Sequence, residues 1–205
     1  MMAFRGSKFG TNVLDVFKLQ QFCDMEKIQM EDLGRLSVSE FKAQAKLPLT
    51  LVLDNVRSGL NVGSIFRTAD AFALEKVVLC GITAQPPHRE ILKTALGSTE
   101  SVEWAYFESA ADALRALRTE GLLLYAIEQT SDKTWLQDFV PQAGRRYAFV
   151  LGNEVEGVSD AALARCDGVL EIPQFGTKHS LNVAVAAGIV SWSFLQSYHG
   201  TKLVS

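Results

Sequence analysis

From residue 49 onward, short apolar runs alternate with longer stretches of helical periodicity. Five runs read as strands: residues 49–53 (LTLVL), 76–80 (KVVLC), 122–127 (LLLYAI), 147–151 (YAFVL) and 169–172 (VLEI). Nearly continuous apolar runs, rather than strict alternation, are what strands buried on both faces of a parallel sheet require. Between them, Ser109 with Asp112 opens a helix that Gly121 closes, Asp160 starts a second (AALARC), and a strongly apolar helix begins near Leu181. Alternating strand and helix predict an α/β fold, a mostly parallel sheet with helices on both faces. Residues 12–30 and 37–46 carry helical periodicity with interleaved charge, and Pro48 marks where the sheet starts. The expected division is a short helical N-terminal extension over residues 1–48, too small for a core of its own, and a main domain over 49–205.

Composition narrows the function classes. Among 205 residues, 20 Lys and Arg face 23 Asp and Glu, a net charge of −3. A protein held to nucleic acid by bulk charge is usually strongly basic, so any nucleic-acid contact must be a local basic pocket. Nothing favours membrane-surface binding. Cys23, Cys80 and Cys166 form no CxxC pair, and His88, His179 and His199 are scattered. No metal site is expected, and free thiols point to a reducing cytoplasm. The N-terminus lacks a basic-then-apolar leader pattern. The apolar run over residues 181–198 is interrupted by Asn182, Ser191, Ser193 and Gln196, which favours a buried helix over a membrane span. Its apolar positions Val183, Val185, Ile189, Val190, Trp192 and Phe194 surround the helix, so it is expected to be covered on more than one side, by core or by a second subunit.

Familiar nucleotide and hydrolase signatures are missing. There is no G-x-G-x-x-G after the first strand, Gly176-Thr177-Lys178 does not complete a phosphate-binding loop, and no G-x-S-x-G appears. Polar residues gather instead at the strand ends, where α/β proteins place ligands. The first strand leads to Asn61 and to Arg67-Thr68-Ala69-Asp70. The fourth ends in Leu151-Gly152-Asn153-Glu154-Val155-Glu156-Gly157. After the fifth come Ile172-Pro173 and then Ser180-Leu181-Asn182 at a helix start. Each has an ordinary reading: Asn61 and Ser180 as N-caps, Arg67 as a solvent-facing partner of Asp70, Gly152 as a turn glycine, Glu154 as a first-turn acid, Asn182 as an exposed helix residue.

Together and in order, N-x5-R-T-A-D, L-G-N-E-x-x-G and I-P-x-F-G-x3-S-L-N-V-A-V-A-A-G resemble the three motifs of the SpoU-type (TrmH-like) RNA methyltransferases of the SPOUT superfamily. The resemblance covers about residues 49–198. It implies a C-terminal trefoil knot over about residues 147–192, a feature that ordinary chain topology disfavours. It also implies bent S-adenosylmethionine as cofactor, a homodimer, and methylation of a ribose 2′-hydroxyl in transfer or ribosomal RNA. The catalytic residues it implies are Arg67, Asn61, Glu154, Ser180 and Asn182. A guanidinium is almost never neutral, so Arg67 fits better as a phosphate clamp that stabilises alkoxide charge than as a base, with Asn61 orienting Arg67 or the ribose and Glu154 holding a basic or hydroxyl partner. Cofactor contacts are expected on backbone around Ile127, Glu128, Gly152, Ile172, Ser180 and Leu181, with the glycine allowing close approach. Arg57, Arg67, His88, Arg89, Lys93, Arg145, Arg146 and Lys178 are candidates for an RNA-binding rim, the ordinary reading being solvated loop charges. Residues 93–98 (KTALGS) resemble the family loop that faces the target nucleotide. Two other functions stay open: a non-catalytic RNA-binding protein on the same fold, and a small-molecule methyltransferase.

Overall fold

A computed structural model describes residue 34, residues 36–177 and residues 180–200. The chain divides into two compact units, residues 1–36 and 37–205, and every element below belongs to the second. The helix expected over residues 12–30, Cys23, Lys178 and His179 lie outside the described residues.

In chain order the elements are α1 (Val38–Ala43), β1 (Leu47–Asp54), α2 (Gly59–Ala71), β2 (Leu74–Cys80), α3 (Arg89–Ala95), α4 (Ser98–Ser101), β3 (Trp104–Phe107), α5 (Ala110–Thr119), β4 (Leu123–Ile127), β5 (Thr134–Trp135), β6 (Tyr147–Gly152), α6 (Asp160–Leu163), β7 (Gly168–Glu171) and α7 (Val183–His199). The strands form one seven-stranded sheet in the order β3-β2-β1-β6-β4-β7-β5. Every pairing is parallel. All five predicted strands are present; β3 and the two-residue β5 are additional. β3 is only half-buried, and so lacks the continuous apolar run that marks the central strands.

Side chains of successive strand residues point to opposite faces, and each face has its own core. Leu49, Leu51, Leu53 and Phe149 pack with Ile65 and Phe66 of α2 and Val190 and Phe194 of α7. On the other face, Val52, Val78 and Val150 pack with Ala113, Leu114 and Ala162 from α5 and α6. Phe194 stands edge-on to Tyr147 and Phe149, with ring centroids 5.3 and 5.6 Å apart, an arrangement that adds about 0.5–1.5 kcal/mol per pair beyond area burial. Among the described residues, no helix is long and apolar enough to cross a membrane.

Local chemistry explains the helix starts. Ser37 and Glu40 form a reciprocal capping box at α1. Ser109 caps α5 as predicted, accepting the Asp112 N–H, and Gly121 follows with φ +86°. Two expected caps move. Ser58, not Asn61, caps α2, which places Asn61 inside the first turn. Asn182, not Ser180, caps α7, accepting from the N–H groups of Ala184 and Val185. In both cases the capping side chain is the one the backbone holds extended beside the first free N–H groups.

Among the described residues, α7 is covered on one side only. Val183, Val190 and Phe194 are buried in the core, whereas Val185, Ile189 and Trp192 are exposed and follow one another at i, i+4 and i+7. That stripe is the surplus apolar face the sequence pattern implied.

Candidate active site

A cavity of about 490 Å³ opens at the C-terminal ends of β4, β6 and β7. The six residues expected to meet a cofactor, Ile127, Glu128, Gly152, Ile172, Ser180 and Leu181, all line it, together with Glu154. This is the strand-end crevice where open α/β sheets place ligands. Its described lining residues hold five carboxylates, those of Glu128, Glu154, Glu156, Asp160 and Glu171, and no cationic side chain. Lys133 reaches Glu171 from outside that lining, at 2.7 Å.

Beside the cavity, the three motif segments converge on one hydrogen-bonded row. The Asn182 amide oxygen caps α7, so its NH₂ is left to donate, and it donates to Asn61 Oδ1 at 3.2 Å. With its oxygen used, Asn61 donates from Nδ2 to Glu154 Oε1 at 2.6 Å. A helix cap at one end and a carboxylate at the other thus set the orientation of both amides. Asn61 therefore does not orient Arg67: its amide is committed to Glu154 and Asn182. Glu154 correspondingly holds an amide rather than a base or hydroxyl.

Glu154 arrives on a tightly folded loop after β6. Asn153 Oδ1 accepts from the N–H groups of Val155 and Glu156 at 2.9 and 2.8 Å, and its carbonyl accepts from Gly157 N–H at 3.1 Å. The chain doubles back so closely that a Cβ on Gly152 would fall 1.9 Å from the Gly157 carbonyl carbon. Glycine at 152 is thus dictated by the loop returning over it, a different reason from the ligand approach expected from the sequence. Two carboxylates at the ends of neighbouring strands also engage this loop. Glu128 Oε2 accepts the Val158 N–H, and Asp54 Oδ2 accepts the Ser159 N–H, each at 2.9 Å.

Arg67 sits elsewhere. Six residues along α2 place it about 120° around the helix from Asn61 and about 9 Å further along. It lines a second, shallower cleft with Ser64, Thr68, Phe72, Lys93, Thr94, Leu96 and Gly188. Asp70, its possible partner from sequence, accepts from the Ser101 hydroxyl instead. Arg67 makes no hydrogen bond or ion pair among the described residues, and its side chain is exposed. Residues 93–98 form the turn from α3 into α4, with Leu96 and Gly97 both left-handed.

The remaining basic candidates divide. Arg57, Arg89 and Lys93 are exposed on the loop before α2 and on α3, and His88 caps α3 by accepting the Glu90 N–H at Nδ1. Arg145 and Arg146 do not join them, because they precede β6 at the opposite end of the sheet. There the Arg146 guanidinium pairs with Glu75 and Glu120, which raises its already high pKa. No group of three potential metal ligands exists among the described residues.

Comparison with known proteins agrees with this geometry. The sequence model of the SpoU rRNA Methylase family matches residues 48–192. The 23S rRNA (guanosine-2′-O-)-methyltransferase RlmB of Neisseria meningitidis is 31% identical over 143 residues, covering 70% of this chain and 56% of that protein. This chain therefore spans little more than half the length of that relative. Among solved structures, the SpoU methyltransferase AviRb of Streptomyces viridochromogenes in complex with the cofactor AdoMet aligns with a TM-score of 0.65 at 25% identity, over 83% of this chain and 63% of that one. The A. aeolicus TrmH/SpoU tRNA modifying enzyme shares the fold with a TM-score of 0.68 at 23% identity, over 78% of this chain and 80% of its own. With its parallel sheet, its strand-end cavity and a family match across most of the described domain, the chain belongs to the SpoU rRNA Methylase family.

Proposed function

We propose that the protein is an S-adenosylmethionine-dependent methyltransferase acting on a ribose 2′-hydroxyl of transfer or ribosomal RNA, as a cytoplasmic homodimer whose catalytic domain spans residues 49–205. The observation that carries this reading is the row Asn182–Asn61–Glu154, which ties one residue from each motif together beside the strand-end cavity. The knot expected over residues 147–192 belongs to the same proposal.

The cavity suits the cofactor. Its volume of about 490 Å³ lies in the range of small-molecule sites. Ile127, Leu151, Ile172, Leu181 and Val183 offer apolar surface for a flat base, and the five carboxylates favour a ligand carrying sulfonium and ammonium charge. When bound, S-adenosylmethionine supplies an electrophilic methyl group. Asn61, Glu154 and Asn182 then act as a preorganised polar wall that costs no rearrangement at the moment of reaction. Arg67, without a partner among the described residues, binds a phosphate next to the target ribose and stabilises charge developing on its oxygen, with Lys93 across the same cleft as a second cation. Arg57, His88 and Arg89 extend this basic surface, and Ser180 contributes from the cavity wall.

The exposed stripe Val185, Ile189 and Trp192 is the dimer contact. Trp192 packs 6.1 Å from the Phe72 ring, and Phe72 lines the Arg67 cleft, so Arg67 stands at the seam and serves the partner's cavity. Co-expressed Arg67→Ala and Glu154→Ala chains should therefore regain the methyl transfer that neither homodimer shows. No regain would return Arg67 to its own protomer's site. Ribonuclease-sensitive transfer of labelled methyl to total RNA tests the activity. RNA binding without transfer would favour the non-catalytic reading, and label confined to small molecules the third.

A further inference from the structure

We propose that Asp54 and Glu128 are positioning residues, a pair of carboxylate latches that hold the loop after β6 from both sides and so present Glu154 to Asn61. The proposal rests on the reading of Glu154 as a site residue. β6 lies between β1 and β4 in the sheet. Asp54, the last residue of β1, is in register with Gly152, and Glu128 directly follows Ile127, the register partner of Leu151. The two carboxylates therefore flank the point where the loop leaves β6.

They take consecutive amides: Glu128 Oε2 accepts the Val158 N–H and Asp54 Oδ2 the Ser159 N–H, each at 2.9 Å. Their second oxygens are also committed. Glu128 Oε1 accepts the Gln129 N–H at 2.8 Å, and Asp54 Oδ1 accepts Asn55 Nδ2 at 2.8 Å. Asn55 cannot turn its amide over without loss, because its oxygen accepts the Ile82 N–H at 3.2 Å. Asp54 is only 1% exposed, and a buried carboxylate persists only where its oxygens are satisfied. The fit around Glu128 is equally tight. A Cβ on Gly157, at φ +68°, would fall 2.2 Å from Glu128 Oε2. Both roles need two acceptors and no donor, which a carboxylate supplies and an amide does not. Glu128→Gln and Asp54→Asn therefore each oppose an NH₂ to an N–H while keeping shape.

The test uses the full chain. Backbone exchange at Val158 and Ser159 should quicken by about 10- to 100-fold in the two variants, with Val52 in β1 unaffected. The Asn61 side-chain amide resonance, which reports its bond to Glu154, should shift toward its position in Glu154→Gln. In turnover, kcat should fall while KM for RNA holds, and adding Glu128→Gln to Glu154→Gln should cost little more. Unchanged exchange and an unmoved Asn61 resonance would overturn the proposal, as would losses that multiply in the double variant. If the parent transfers no methyl, the functional reading fails, and the exchange and resonance data still decide the latch. If Glu128→Gln does not fold, Asp54→Asn carries the same test.

Discussion

Gly152→Ala puts the architecture of the loop at stake. The added methyl would lie 1.9 Å from the Gly157 carbonyl carbon, 2.1 Å from its oxygen and 2.2 Å from Val158 N. All three are backbone atoms, so no side-chain rotation relieves the clash and the loop must lift off β6. Overpacking of this kind costs about 1–3 kcal/mol, and losing the Val158 bond to the Glu128 carboxylate adds about 1.5–3 kcal/mol. Taken together, about 2.5–6 kcal/mol should appear as a melting temperature lower by roughly 5–24 °C in a domain of this size. Calorimetric binding of S-adenosylmethionine should vanish with it, since the loop walls the cavity. Gly176→Ala is the control: no atom of the described residues lies within 4 Å of its added Cβ. It should change stability by less than about 1 kcal/mol. Parental melting and binding in Gly152→Ala would refute the close approach and the loop conformation built on it.

Arg67→Ala should lower single-turnover methyl transfer by a factor on the order of 10²–10³ and leave cofactor affinity unchanged, because Arg67 lines a separate cleft; Arg67→Lys should rescue poorly. Near-normal rates would remove Arg67 from the mechanism. Burial pushes the Cys80 and Cys166 thiols up to about 12, so mass mapping after iodoacetamide at mildly alkaline pH should find both unmodified in the folded protein and alkylated after unfolding. The Ser109 hydroxyl, and then Arg115, hold the Asp112 carboxyl below its ordinary range. Asp112 therefore stabilises α5 above the usual carboxylate pKa, and that contribution is lost as pH falls through the lowered value. Ser109→Ala should remove about 1 kcal/mol of capping and flatten the acid limb of a pH–stability curve; an unchanged limb would show the pair carries no linkage.

Strand runs such as residues 147–151 were legible because burial on both sheet faces leaves no polar position to blur them. β3 was not, since an edge strand with exposed Tyr106 carries a mixed pattern. Cap positions shifted for a local reason: Ser58 and Asn182 are as good cappers as Asn61 and Ser180, and only the backbone path decides which side chain meets the free N–H groups. The motifs marked the right strand ends, and the cavity gathers all six residues expected to meet the cofactor. Sequence order did not reveal that Asn61 would be committed to Glu154 while Arg67 faced another cleft, because that depends on helix phase relative to a loop 93 residues away. Asp54 passed unnoticed, and Glu128 was singled out only for its backbone, since a carboxylate at a strand end carries no spacing signature. Their one sequence-level signal was charge directly after an apolar run.

In the proposed reaction the Asn182–Asn61–Glu154 row serves methyl transfer to a ribose hydroxyl. The most direct measurement incubates the protein with methyl-labelled S-adenosylmethionine and RNA, digests the RNA to nucleosides, and locates the label by mass spectrometry. A 2′-O-methylated nucleoside is expected, with ribonuclease-sensitive incorporation, that disappears in Asn61→Ala and Glu154→Ala although both remain folded. Label on a base, or undiminished ribose methylation in those two variants, would contradict it.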